Sequence, residues 1–179
     1  MMKTAVLISV LALATASMAD GLKVGQTFPS FSLKGSDGKT HNLAELSKKG
    51  PVFFYFVKQI CSANPFAIKY FEDMYKAYGK KVTFVGVINS DAEGQREWAK
   101  EFGGTFMTLL DKDESLIHGV NITHSQWTFE VAPDGKVVGV FPGFGINALK
   151  PLSAELARVG KVANAKLAFL DAPGRTQFG

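Results

Sequence analysis

Cysteine is nearly absent from this chain: Cys61 is the only one in 179 residues. One thiol cannot close an internal disulfide, so the fold must stand on its packed core. An apolar run of membrane-spanning length is missing too. The apolar stretch near the start, Ala5 to Ala14, falls well short of the ~20 residues such a helix needs. The chain also lacks a block of like charge. Lys and Arg total 20 against 16 Asp and Glu, a formal net charge of +4, and the excess is spread along the sequence, which argues against nucleic-acid binding. Internal repeats and low-complexity tracts are lacking as well.

The opening residues read as an export signal. Lys3 supplies a short positive region, Ala5 to Ala14 the apolar one, and Ser17-Met18-Ala19 a small-residue cleavage site. Cleavage after Ala16 is an alternative. Removal of residues 1–19 leaves no integral membrane span and points to a periplasmic or secreted protein. Residues 20–160 then read as one domain, and residues 161–179, rich in Pro, Gly and polar groups toward the end, as a loose tail.

Within the domain, FPSFSLKG, the turn SDGK and THNL suggest a small N-terminal hairpin. PVFFYFV at 51–57 is apolar on both faces, as a central buried strand must be. Phe66, Tyr70, Phe71, Met74 and Tyr75 recur at helical spacing, with Pro65 in the first turn and Gly79 at the end. KVTFVGVIN is a second buried strand, and Asp91 caps the helix that follows, with Trp98 and Phe102 facing the core. TFMTLL is a short strand. WTFEV and KVVGVF flank the turn APDG as a hairpin. Asn147 suits the cap of a last helix, provided Pro151 lies in its first turn. Parallel βαβ units followed by a hairpin and a closing helix describe an α/β fold.

Three pieces together resemble the thioredoxin-like superfamily, in its redoxin (AhpC/TSA) and TlpA-like branch. They are FFYFVKQIC before a helix, FVGVINSDAEGQREWAKEFGGTFMTLLDKDESLIHGV, and TFEVAPDGKVVGVF. The resemblance runs from about Gly25 to Leu152. It implies a thioredoxin-like fold: a central mixed sheet flanked by helices, here with an N-terminal β-hairpin extension. It also implies thiol–disulfide chemistry on exported thiol or disulfide proteins or on small thiols.

Two departures from the family pattern bear on that chemistry. Members usually carry Cys-x-x-Cys where this chain has Cys61-Ser62-Ala63-Asn64. Cys61 matches the first, solvent-facing cysteine and Asn64 replaces the second. A helix N-terminus offers unpaired N–H groups and partial positive charge, which favour a thiolate; Lys58 is a further aid if its ammonium reaches the sulfur. Asn64, however, cannot attack a mixed disulfide, so release needs an outside thiol. The other departure is at Gln126, which stands where the family's cis-proline belongs. A non-proline cis bond costs about 3 kcal/mol, so a trans peptide is expected there. Peroxiredoxins place Thr or Ser three residues before the cysteine and an arginine near the facing loop. Lys58 and Gln126 stand here instead, which argues against strong peroxidase activity.

Ser62, Pro65, Ser125 and Gln126 are the expected binding residues around Cys61. His124 opens another reading, because His124-Ser125 ahead of the hairpin looks like the histidine segment of Sco-type copper proteins. Copper held by Cys61 and His124 would need further ligands, since that family's second cysteine falls on Pro65. No other cofactor is implied. A third reading is a non-catalytic binding module on the same fold, with Cys61 as a small buried hydrophobe. Asp111, Asp113 and Glu114 read as a solvated turn, Glu72-Asp73 as a polar helix face, and His41 and His118 as peripheral.

Overall fold

A computed structural model describes residues 20–179; the expected export signal lies outside the described residues. Strands β1 (Leu33–Lys34) and β2 (Thr40–His41) form the small N-terminal hairpin. Helix α1 (Leu43–Leu46), capped by the Asn42 side chain, runs into a 3-10 turn at Ser47–Lys49. Then follow β3 (Val52–Val57), α2 (Asn64–Tyr78), β4 (Thr83–Ile88), α3 (Ala92–Phe102), β5 (Thr108–Leu110) and α4 (Ser115–Gly119). The hairpin β6 (Trp127–Val131) and β7 (Val137–Pro142) and helix α5 (Ile146–Gly160) complete the fold.

The main sheet has the order β5-β4-β3-β6-β7. β3 and β4 run parallel, as do β4 and β5, while β6 is antiparallel to β3 and to β7. The steps from β3 to β4 and from β4 to β5 go the same way across the sheet. Right-handed crossovers therefore put α2 and α3 on one face. α5 packs there too, against α2 and β7, and this face holds Phe53, Tyr55, Val57, Phe71, Met74, Trp98, Leu152 and Leu156. The opposite face holds Phe54, Phe56, Val87, Phe129 and Val131, covered by Phe28, Leu116 and Val120. All six residues of β3 are buried. Each such large side chain contributes about 1.5–3 kcal/mol on leaving water, which is why this strand takes the centre.

Several sequence expectations need correction. Asp91 does cap α3, accepting from the Glu93 and Gly94 amides, but α5 is entered from Gly145, and Asn147 lies inside its first turn. Pro151 falls further along that helix than expected. Glu72 is no solvated residue: it is buried and accepts from the Thr105 amide (2.9 Å) and hydroxyl. Asp111 is fully buried as well. It accepts from the amides of Leu116 (3.1 Å) and Ile117 (2.9 Å) and from Ser115 Oγ (3.1 Å), holding the start of α4. The segment 161–179 is not loose. Ala165 N donates to the Tyr78 hydroxyl (2.8 Å), the Phe169 ring meets Tyr70 edge-on, and Leu167 and Ala172 pack on the core.

Candidate functional site

The parallel strands β3 and β4 end at the same edge of the sheet, where open α/β folds gather their ligands. β3 leads through Lys58–Ile60 to Cys61 and then into α2. The segment Thr123–Gln126 enters β6 beside it, because Phe56 pairs with Trp127. Two loops distant in sequence thus face each other across the cysteine.

Cys61 is a half-buried free cysteine, and its sulfur is the atom on which the two loops converge. It lies 3.3 Å from Ser125 Oγ and accepts from the Ala63 amide at 3.4 Å. Ser62 and Pro65 are exposed beside it. Two large apolar side chains stand out at the rim, Ile60 at 91% exposure and Phe66 at 65%.

Beneath the sulfur runs a chain of buried polar groups. The Tyr55 hydroxyl donates to Gln126 Oε1. Gln126 Nε2 donates to Asn64 Oδ1 at 3.2 Å. Asn64 Nδ2 donates in turn to the carbonyls of Lys58 (2.9 Å) and Gln59 (3.3 Å). Tyr55, Gln126 and Asn64 are all 0% exposed. Burial, with the nearby Cys61 charge as a smaller cause, pushes the Tyr55 phenol well above its ordinary range. It therefore stays protonated and keeps its role as donor.

The two departures from the family pattern thus meet as one structure. An amide stands where the second cysteine would be, and an amide stands where the proline would be. The two bond to each other. No peptide bond among the described residues is cis, and Gln126 has φ 72°, a left-handed conformation uncommon for a side-chain-bearing residue. Its own amide donates to the Phe56 carbonyl (2.8 Å), fixing the turn into β6.

Lys58 and His124 make contacts of their own on the facing loop. Lys58 Nζ donates to the Thr123 carbonyl at 2.9 Å, tying the two loops together. His124 is exposed; its Nδ1 lies 3.1 Å from Asp20 Oδ2 and 2.9 Å from Thr123 Oγ1. Among the described residues no group of three or more His, Cys, Asp or Glu side chains is arranged to hold a metal ion. Cys61 and His124 are therefore not joined there by a third side chain of these types.

Other supports were missed in the sequence. Asn89 Oδ1 accepts from the Gln59 amide (2.8 Å), and Ser90 Oγ donates to Gln59 Oε1 (2.6 Å), so the end of β4 braces the loop before Cys61. Tyr55, one hydroxyl in an otherwise apolar strand, was the available signal for the buried chain.

Comparison with known proteins agrees with this architecture. Residues 24–140 match the model of the AhpC/TSA family. The chain belongs to the AhpC/TSA family. Among curated members, it is 28% identical over 127 residues to thiol-disulfide oxidoreductase ResA of Bacillus subtilis, covering 69% of this chain and 70% of that protein. It is 31% identical over 102 residues to the chloroplastic peroxiredoxin Q of Populus jackii, covering 51% of this chain and 44% of that one. The fold matches the thioredoxin domain of a thiol-disulfide oxidoreductase from Bacteroides vulgatus with a TM-score of 0.63 at 21% identity, over 75% of this chain and 99% of that one. It matches peroxidoxin BcpB of Mycobacterium tuberculosis with a TM-score of 0.60 at 18% identity, over 78% and 97%. The fold is thus thioredoxin-like, a mixed sheet flanked by helices with the N-terminal hairpin. Among the described residues no helix is long and apolar enough to cross a membrane.

Proposed function

We propose that this family member is an exported monothiol exchange protein, acting slowly on small thiols or on disulfides of exported proteins in the periplasm or outside the cell. The observation that carries the reading is the contrast between residues 61 and 64. Cys61 is a half-buried free thiol that accepts from an N–H at the start of a long helix, whereas Asn64 is sealed inside and bonded to Lys58, Gln59 and Gln126.

The step this permits is one-sided. A Cys61 thiolate attacks a disulfide R–S–S–R, forms Cys61–S–S–R and expels R–S⁻. Nothing at position 64 can complete the cycle, so a second external thiolate must attack the mixed disulfide, release R and return Cys61. Ile60 and Phe66 supply an apolar rim for the incoming group, with Ser62, Pro65 and Ser125 around the sulfur. With peroxide the sulfur would become a sulfenic acid, and water or alcohol would leave.

The test is reduction of a glutathionylated peptide with glutathione as the electron source. The chain should accelerate it and Cys61→Ser should abolish the gain. Equal rates with and without the thiol would refute the reading. A binding module is the second reading, favoured by the plugged loop at Gln126. In that case Cys61→Ser leaves the partner bound and the biological effect intact.

A further inference from the structure

The last residues of the chain follow a defined path that ends on the reactive sulfur. The Pro173 carbonyl accepts from the Ile146 amide at 2.8 Å. Asn147 Nδ2 donates to Thr176 Oγ1 at 2.8 Å. The Gln177 carbonyl accepts from Phe144 N (3.0 Å), and two residues on the Gly179 carbonyl accepts from Ser125 N (2.8 Å). These two carbonyls tie the segment to both ends of the hairpin, at Phe144 beyond β7 and at Ser125 ahead of β6. Between them the Phe178 ring stacks on Trp127, centroids 5.7 Å apart, and tilts against His124 at 5.6 Å.

Glycines make room on both sides of this segment. A Cβ on Gly145 would strike the Arg175 carbonyl, and one on Gly143 would strike the Gln177 carbonyl and approach Thr176 Cγ2 at 2.7 Å. A Cβ on Gly179 would run into the Cys61 sulfur and come within 2.7 Å of Ser125 Oγ and 2.8 Å of Ala63 Cβ. Three glycines thus permit main chain to lie directly against the site. The apolar anchoring of the segment on the core by Leu167, Phe169 and Ala172 precedes Pro173, and beyond it Phe178 adds a contact with Trp127.

We infer that residues 173–179 form a strap that shields Cys61, and that the thiol reacts with a bulky disulfide only when the strap lifts. This rests on Cys61 being the reactive group of the preceding reading, and it adds control of that group. The strap is held by three main-chain hydrogen bonds, the Asn147–Thr176 side-chain bond and the contacts of the Phe178 ring with Trp127 and His124, so an incoming extended segment can compete for the same Ser125 amide. The chain thereby selects partners able to displace its own tail.

The test is the rate of reaction with 5,5′-dithiobis(2-nitrobenzoate), in which the Cys61 thiolate takes one half of the reagent as a mixed disulfide and expels the coloured thiolate. A chain ending at Ala172 should react at least tenfold faster than the full chain. Phe178→Ser and Gly179→Val should each accelerate it severalfold, and they decide the matter if the shortened chain does not fold. Rates within twofold of the full chain in these variants overturn the strap. A strap-free variant faster than the full chain, yet no faster than an unstructured cysteine peptide, upholds the strap and refutes instead the idea of a helix-activated thiol.

Discussion

Replacing Asn64 by alanine should cost about 3 kcal/mol of stability, though the residue sits where the family's second catalytic cysteine would be. The side chain donates at 2.9 and 3.3 Å to the carbonyls of Lys58 and Gln59 and accepts at 3.2 Å from Gln126. Each such bond is worth about 0.5–1.5 kcal/mol net. Truncation also strands the buried Gln126 amide donor, and an unpaired buried group costs about 1–3 kcal/mol. The sum spans roughly 2.5–7.5 kcal/mol, and the weak 3.3 Å bond and the overlap between the lost Gln126 bond and its stranding penalty put the expected loss toward the low end, at about 3 kcal/mol. Urea unfolding followed by tryptophan fluorescence reads it directly: with a slope of about 1–3 kcal/mol per molar, the midpoint should drop by about 1 M or more. A cycle with Gln126→Ala separates the pair from its surroundings, and a coupling near 1 kcal/mol is expected for two groups in contact. A loss below about 1 kcal/mol with additive single effects would refute the idea that these two amides form one structural unit.

Three further outcomes follow from the same structure. The buried Glu130 carboxyl is raised from 4.5 to about 7, chiefly by burial and then by Glu155 beside it, with Arg158 opposing. Its unfolded form ionises near 4.5 while the folded form holds its proton. Stability should therefore fall as pH rises from about 4.5 to about 7, by at most about 3 kcal/mol. Glu155, held low by its Arg158 hydrogen bond, adds stability as pH rises toward about 4.5, below this window. Glu130→Gln should flatten that window in pH-dependent urea titrations; an unchanged slope contradicts the assignment. Asp111→Ala removes three acceptor contacts at the start of α4 and should cost about 2–3 kcal/mol, whereas a solvated turn residue would cost almost nothing. Trp98→Ala on α3, whose side chain is 1% exposed, should cost about 3–5 kcal/mol, again read by the urea midpoint; a loss under 1 kcal/mol would mean that α3 does not cover the sheet.

The strands and long helices were legible because burial imposes a period. β3 reads as continuous apolar residues, α2 repeats at three and four, and Asp91 announces α3 with a capping side chain. The site was legible in part. Cys61 at a strand-to-helix junction, the amide at position 64 and the missing proline at 126 are all visible in the sequence. Their mutual bonding is not, since residues 62 positions apart leave no local pattern. Glu72 and Asp111 were misread for a related reason: a carboxylate looks solvated until the backbone amides that satisfy it are known. The path of residues 173–179 was illegible because Pro, Gly and polar residues carry no periodicity, whether they wander or lie pinned on a surface.

Exposure to glutathione disulfide followed by intact mass measurement bears most directly on the account of Cys61. The account predicts one glutathione per chain, formed faster once residues 173–179 are removed, and stable until an external thiol is added. A chain that gains no glutathione even without that segment, or one that sheds it unaided, would contradict it.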